Sequence, residues 1–391
     1  MTAATLSPQA EAILTPIATA RPVLNFWIFG APYIATTIYF FIMIKDDSRI
    51  YAPIFPIAMV LIAATTFTLI DRRLPALNHD VILFMLVYLV IGAISVGLSQ
   101  NTDSFALRKI ALPLVGMAPA AFRFYTTPRQ FFVFLVALFF AALIYTTQTS
   151  DVIGGGFLST DSPYESILGA AFGAITVWLV TSSRYVLATL AYCACVLFFK
   201  RNAIIMALVV SMAVLAIQIL RQGDNGRLFR RLLYVAVPVA TLLALYLSRI
   251  FDYIAANLVR GYNAEYISVG RAPIYDFIIG EYERSTIREQ LFGHGAGMVE
   301  YIVASERSLN AGLLLPHDEY LSWLYDFGVF GLIILLFFFA RIGRSGIPAV
   351  AVLLFMTLAM TAENFFLISF NCLAIFALCS TRMVDTRHAA P

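Results

Sequence analysis

The residues best placed for chemistry gather where a long polar segment returns to an apolar helix, in PHDEYLSWLYDFGVFG (residues 316–331). Pro316 suits the first turn of a helix, where a missing N–H costs nothing. His317, Asp318 and Glu319 are therefore expected at the N-terminus of a span running to about Phe339. Unpaired N–H groups and the positive end of the helix dipole meet there, which favours an anionic group. Gly328 lies three turns after His317 at ~3.6 residues per turn, so both should face the same way. With Gly331, it leaves room for close packing below the ring. The same pattern also fits an ordinary helix start with an interfacial histidine.

Other polar residues stand out against apolar surroundings. Lys200 and Arg201 interrupt two apolar runs with no turn residues around them, an expensive place for charge unless it reaches water, headgroups or a counter-ion. Arg108 and Lys109 precede the short run IALPLVGMAPAAF (110–122). At its outer end they would either hold phosphate or snorkel to headgroups. The turn GHGAG supplies Gly293 and Gly295, which permit positive φ and let something approach the backbone.

The elements that must position these residues are apolar helices. The chain of 391 residues is 61% hydrophobic and 13% charged, with a mean hydropathy of +0.84. That composition excludes a soluble globular protein. Runs of about 15 to 22 apolar residues recur along it, and a span takes ~20. They fall near 23–44, 51–70, 81–99, 110–122, 131–147, 167–181, 185–199, 203–220, 232–247, 320–339, 347–361 and 365–380. The expected fold is an all-α polytopic membrane bundle of about 12 transmembrane helices with one large helical outer loop. The fourth run, with two prolines and a glycine, is expected to be bent. Cys193, Cys195, Cys372 and Cys379 lie within or at the ends of apolar runs, so they suggest neither a disulfide framework nor a zinc site.

Charge distribution sets the orientation. With both termini inside, the inner segments collect more than half of the 26 basic residues and under a quarter of the 23 acidic ones. Residues 1–22 read as a cytoplasmic tail without the basic start of a cleaved signal. About nine spans occupy 23–247, the large outer loop 248–316, and about three more spans 317–380, before a cytoplasmic tail at 381–391. Within the loop, RIFDYIAANLVR (249–260) has the stripe of an interfacial helix. Pro273 opens a second helical stretch. No repeat, P-loop, dinucleotide motif or acidic metal cluster is present in the sequence.

Arg201, the Gly270–Arg271 pair, GHGAG and PHDEYLSWLYDFGVFG together resemble the O-antigen ligase and polysaccharide polymerase family of bacterial envelope proteins, the Wzy C-terminal domain family. The likeness covers roughly residues 195–345. Its most specific element is a histidine and a glycine with ten residues between them at the end of a large periplasmic loop, matched by His317 and Gly328. Asp318 stands where the family usually has Asn, and Lys200 where serine commonly precedes the arginine. The resemblance implies a multi-pass protein of the bacterial inner membrane with its active site facing the periplasm. It also implies transfer of a glycan from undecaprenyl diphosphate to an acceptor glycan, either the lipid A core or a growing polysaccharide, without metal or other cofactor. The lipid bilayer is then a partner and nucleic acid is not.

The residues suit that chemistry on their own terms. A diphosphate-linked sugar already carries a good leaving group, so the protein must deprotonate an acceptor hydroxyl and hold the diphosphate's charge. His317 is the candidate base, because imidazole titrates near ~6.5. Arg201 and Arg271 are the candidate diphosphate clamps, with Arg288, Arg108, Lys109 and Lys200 as further ones. Glu319 is expected to orient His317 or to bind acceptor hydroxyls. A transporter or flippase of the same lipid-linked sugar would share the spans and broken helices, but should show internal pseudo-symmetry and mid-membrane charge. Asp326 and the Glu363–Asn364 pair are the residues that would fit it. A structural scaffold would not need His317 at that position, and the sequence also fits one.

Overall fold

A computed structural model describes residues 23–43, 54–71, 75–98, 104–149, 168–198, 201–220, 272–306, 318–360 and 369–384. Among these the chain is mostly helical. In order, the helices are α1 (Trp27–Met43), α2 (Ile54–Asp71), α3 (His79–Leu98), α4 (Ser104–Met117), α5 (Pro128–Thr149), α6 (Leu168–Thr181), α7 (Tyr185–Leu197), α8 (Arg201–Leu220), α9 (Ala272–Arg284), α10 (Ile287–Phe292), α11 (Met298–Ser305), α12 (Glu319–Gly343), α13 (Ile347–Ala359) and α14 (Ser369–Cys379). Every apolar run coincides with one of them except 232–247, which lies outside the described residues. The expected interfacial helix at 249–260 and Glu363–Asn364 lie outside them too.

Two helices, α3 over His79–Val96 and α12, are long and apolar enough to cross a membrane. On α3, Leu83, Leu86, Leu89, Val90 and Ile94 are exposed large apolar side chains. Its opposite side packs inward, with Phe84 stacked on Phe338 of α12 at 3.7 Å between ring centroids and Tyr88 stacked on Trp323 at 5.2 Å.

The core is organised around α6, whose residues Leu168 to Val180 are all buried. Its sequence LGAAFGAITVWLVT begins with small residues, which let neighbouring helices come close. A Cβ at Gly173 would lie 2.7 Å from Phe355 Cζ of α13, so the missing side chain is what seats that ring. One turn earlier, the Cys195 thiol of α7 donates to the Gly169 carbonyl at 3.3 Å. Helices α7, α8, α13 and α14 all pack on α6. No disulfide joins any of the four cysteines, and only Cys193 is exposed.

At one end of the bundle, three very short strands, β1 (Leu24–Asn25), β2 (Phe124–Thr126) and β3 (Thr381–Met383), form a parallel sheet in the order β1-β2-β3. Leu77 adds a bridge to Phe122. All four segments are ones that the charge pattern assigns to a single side.

The fourth run departs from expectation in a way that matters for the site. Helix α4 begins at Ser104, includes Pro113, and gives way to a 3-10 turn at Ala118–Ala121 whose first turn contains Pro119. Lys109 therefore lies well inside the helix and not at its end.

Candidate functional site

Asp318 caps α12. Its Oδ1 accepts from the N–H groups of Tyr320 (2.9 Å) and Leu321 (3.1 Å), satisfying two donors that a helix start leaves open. The Glu319 N–H donates to the Met360 carbonyl at 3.0 Å, fixing this start to the end of α13. Burial pushes the Asp318 carboxyl up to about 7, against the pull of the two backbone donors.

Further along α12, helical geometry is interrupted at Gly328, where φ is 67° and ψ is −172°. L-residues with side chains rarely adopt that backbone. Into the break fits the turn that follows α10. The N–H groups of His294 and Gly295 donate to the carbonyls of Tyr325 and Asp326, both at 3.0 Å. Gly293, at φ 83°, approaches the Asp326–Phe327 backbone so closely that no Cβ would fit. The same is true of Gly328 against Leu291 and Gly293. What packs beside Gly328 is thus the backbone of 291–293.

The turn also holds an imidazole. His294 stacks on Tyr325 with centroids 4.1 Å apart and planes 7° apart. Its Nε2 is 2.9 Å from the Ser285 hydroxyl. Helix α10 enters the turn through a capping box: the Thr286 hydroxyl accepts from the Glu289 N–H, and the Glu289 side chain reaches back to the Thr286 N–H. The Thr286 hydroxyl and N–H hold the Glu289 carboxyl below its usual value.

Beneath the turn lies a buried ionic cluster. Lys109 Nζ is 2.9 Å from Glu300 of α11, 3.8 Å from Glu319 and 3.9 Å from Asp326 of α12. Lys109 and Glu300 are each 2% exposed, Glu319 and Asp326 0%. Asp326 also accepts from the N–H groups of Gly297 (3.0 Å) and Val299 (2.9 Å). The Ala296 N–H donates to the Ser95 hydroxyl of α3 at 2.7 Å. One ammonium thus ties three helices together, and the turn is bonded to both α12 and α3.

No family model matches the chain. A search of curated proteins finds no match either.

Of the residues singled out in the sequence, the structure brings together Lys109 with Glu319, and Gly293 and Gly295 with the backbone around Gly328. Lys109, expected at the water-facing end of its helix as a phosphate ligand, is instead surrounded by carboxyl groups. Its Nζ lies 2.9 Å from Glu300, within a helix that starts five residues before it. Glu319, expected to serve the histidine or an acceptor sugar, is a partner of that ammonium. Arg288 is exposed on α10, and Arg108 is half-buried on α4. Arg201 is the first residue of α8. His317, Arg271 and Lys200 lie outside the described residues. Sequence reasoning missed Glu300, although an acidic residue within the apolar stretch MVEYIVA needs a buried partner. It also gave no role to Ser95 or to the His294 ring. Among the described residues, no group of three His, Cys, Asp or Glu side chains is arranged to hold a metal ion.

Proposed function

We propose that this chain is a multi-pass protein of the bacterial inner membrane, of about 12 spans. It moves a glycan from undecaprenyl diphosphate to an acceptor sugar at the periplasmic face, as an O-antigen ligase or polysaccharide polymerase does. The supporting observation is that GHGAG and the segment from Asp318 to Gly331, two of the stretches that carry the resemblance, form one packed unit. The turn meets α12 at Tyr325–Gly328, in the helix that Asp318 caps. In this reading His317 takes the proton of the acceptor hydroxyl, and its oxygen attacks the anomeric carbon. The bond from that carbon to the diphosphate breaks, and Arg201 and Arg271 hold the departing charge. The Lys109 cluster keeps the turn and the helix start in register. The exposed apolar surface of α3 supports placement in a bilayer.

Purified protein in nanodiscs, given undecaprenyl-diphosphate glycan and acceptor, should release undecaprenyl diphosphate and extend the acceptor. A glycolipid gel from a deletion strain separates the two activities. Lipid-linked polymer without capped lipopolysaccharide indicates a ligase, and single repeat units indicate a polymerase.

A transporter or flippase of lipid-linked saccharides is the second reading. One feature favours it: an ammonium buried among carboxyl groups, as proton-coupled carriers use. Movement of labelled donor across proteoliposomes without any transfer product would select it.

A further inference from the structure

At the end of the bundle that carries the small sheet, a cavity of about 550 Å³ opens between α6, the α12–α13 turn and strands β2 and β3. Four arginines line it: Arg123 just before β2, Arg184 at the start of α7, Arg344 at the end of α12, and Arg382 in β3. No Asp or Glu is among its lining residues within the described part of the chain. The guanidinium groups of Arg123, Arg344 and Arg382 around one cavity repel one another, an arrangement that an anion relieves.

A second observation points the same way. Trp178 lines the cavity and is 1% exposed, yet its indole Nε1 has no acceptor. An indole nitrogen only donates, and buried donors normally find a partner. The walls are mixed, with Phe122 contributing apolar surface beside the arginines. Arg344 lies 16 residues beyond the break at Gly328, ~24 Å along the rest of the helix at ~1.5 Å per residue. The cavity is therefore separate from the Lys109 cluster.

We propose that this cavity binds a phosphate-bearing anion, its oxygens held by Arg123, Arg344 and Arg382. Guanidinium groups grip phosphate oxygens in pairs, and a volume of this size accommodates a headgroup or a small soluble phosphate. The charge pattern places this end of the bundle on the cytoplasmic side, opposite the proposed transfer site. The inference does not depend on glycosyl transfer.

The test uses full-length protein in nanodiscs of zwitterionic phosphatidylcholine. Thermal unfolding is followed as phosphatidylglycerol is introduced in one arm and inorganic pyrophosphate is added in the other. Either arm should raise Tm by about 4 °C at saturating ligand. The exposed pair Arg344→Gln and Arg382→Gln, made together, should abolish most of that rise. Arg129→Gln should keep it, since Arg129 is exposed near the same end but does not line the cavity. A rise with phosphatidylglycerol alone identifies a lipid headgroup, and one with pyrophosphate alone a soluble phosphate. No rise in either arm overturns the proposal, as does an equal loss in the Arg129→Gln control. Native mass spectrometry of bound lipid on the same variants keeps the question decidable if the double variant is less stable.

Discussion

Gly293 and Gly328 meet backbone to backbone: a Cβ added at Gly328 would lie 2.6 Å from the Gly293 nitrogen, and both residues have positive φ. A turn before α11 and a break within α12 are thus the two halves of one contact. Alanine at either position should be destabilising by about 2 kcal/mol or more, because strain and steric overlap act together. Gly280 is the internal control, having no atom within 4 Å of where its Cβ would be. Alanine there, within α9, should be neutral or stabilising by roughly 0.5–1 kcal/mol. Unfolding midpoints of the three variants in detergent check the contrast, and equal midpoints would sink the packing account.

Removing the Lys109 ammonium leaves Glu300, Glu319 and Asp326 buried without their cation. Lys109→Met should be destabilising by about 3–5 kcal/mol, as expected when one partner of a buried pair is deleted. Adding Glu300→Gln removes the nearest orphaned charge and should recover part of the loss. Size-exclusion profiles and midpoints of the single and double variants measure the coupling; purely additive effects would show that the two residues do not interact.

The Asp318 cap should make stability depend on pH. Its folded value, about 7, lies above the ordinary 3.8, so the folded state binds the proton more tightly. The contribution is then present in full below about 4 and is lost as pH rises through about 7. An asparagine side chain caps a helix as well, without the ionisation. Asp318→Asn should therefore flatten the profile between pH 4 and 7 and be more stable than the parent at pH 8. A variant with an unchanged profile would remove Asp318 as its source.

For the proposed transfer, His317→Ala and Arg271→Ala should abolish glycan extension while leaving expression and midpoint near the parent's. Arg201→Lys should lower turnover more than tenfold if the guanidinium binds oxygens in pairs. Full turnover by His317→Ala would take that ring out of the mechanism.

Helix positions were legible because length and apolar composition alone determine them, as the match of 167–181 to α6 shows. Three features were not. Lys109 was misplaced because the polar start of α4, from Ser104, does not read as part of an apolar run, so an interior position looked like an end. Gly328 was picked out by its distance from a histidine, yet the segment it receives, 291–293, is more than thirty residues earlier, a relation that helical spacing cannot encode. The strands escaped notice because two or three residues carry no alternation.

Those strands bear on how the molecule is put together. The Leu24 N–H donates to the Arg123 carbonyl, and the Phe124 N–H to the Ser380 carbonyl, so β2 joins the segment before α1 to the segment after α14. Ribosomal synthesis delivers β1 early, β2 about a hundred residues later and β3 after every helix described above. The clasp can close only when β3, which follows α14, has been made, and until then β2 presents an unpaired edge. Closure of this sheet therefore waits for β3, and a chain stopped before Thr381 would leave that edge of β2 open.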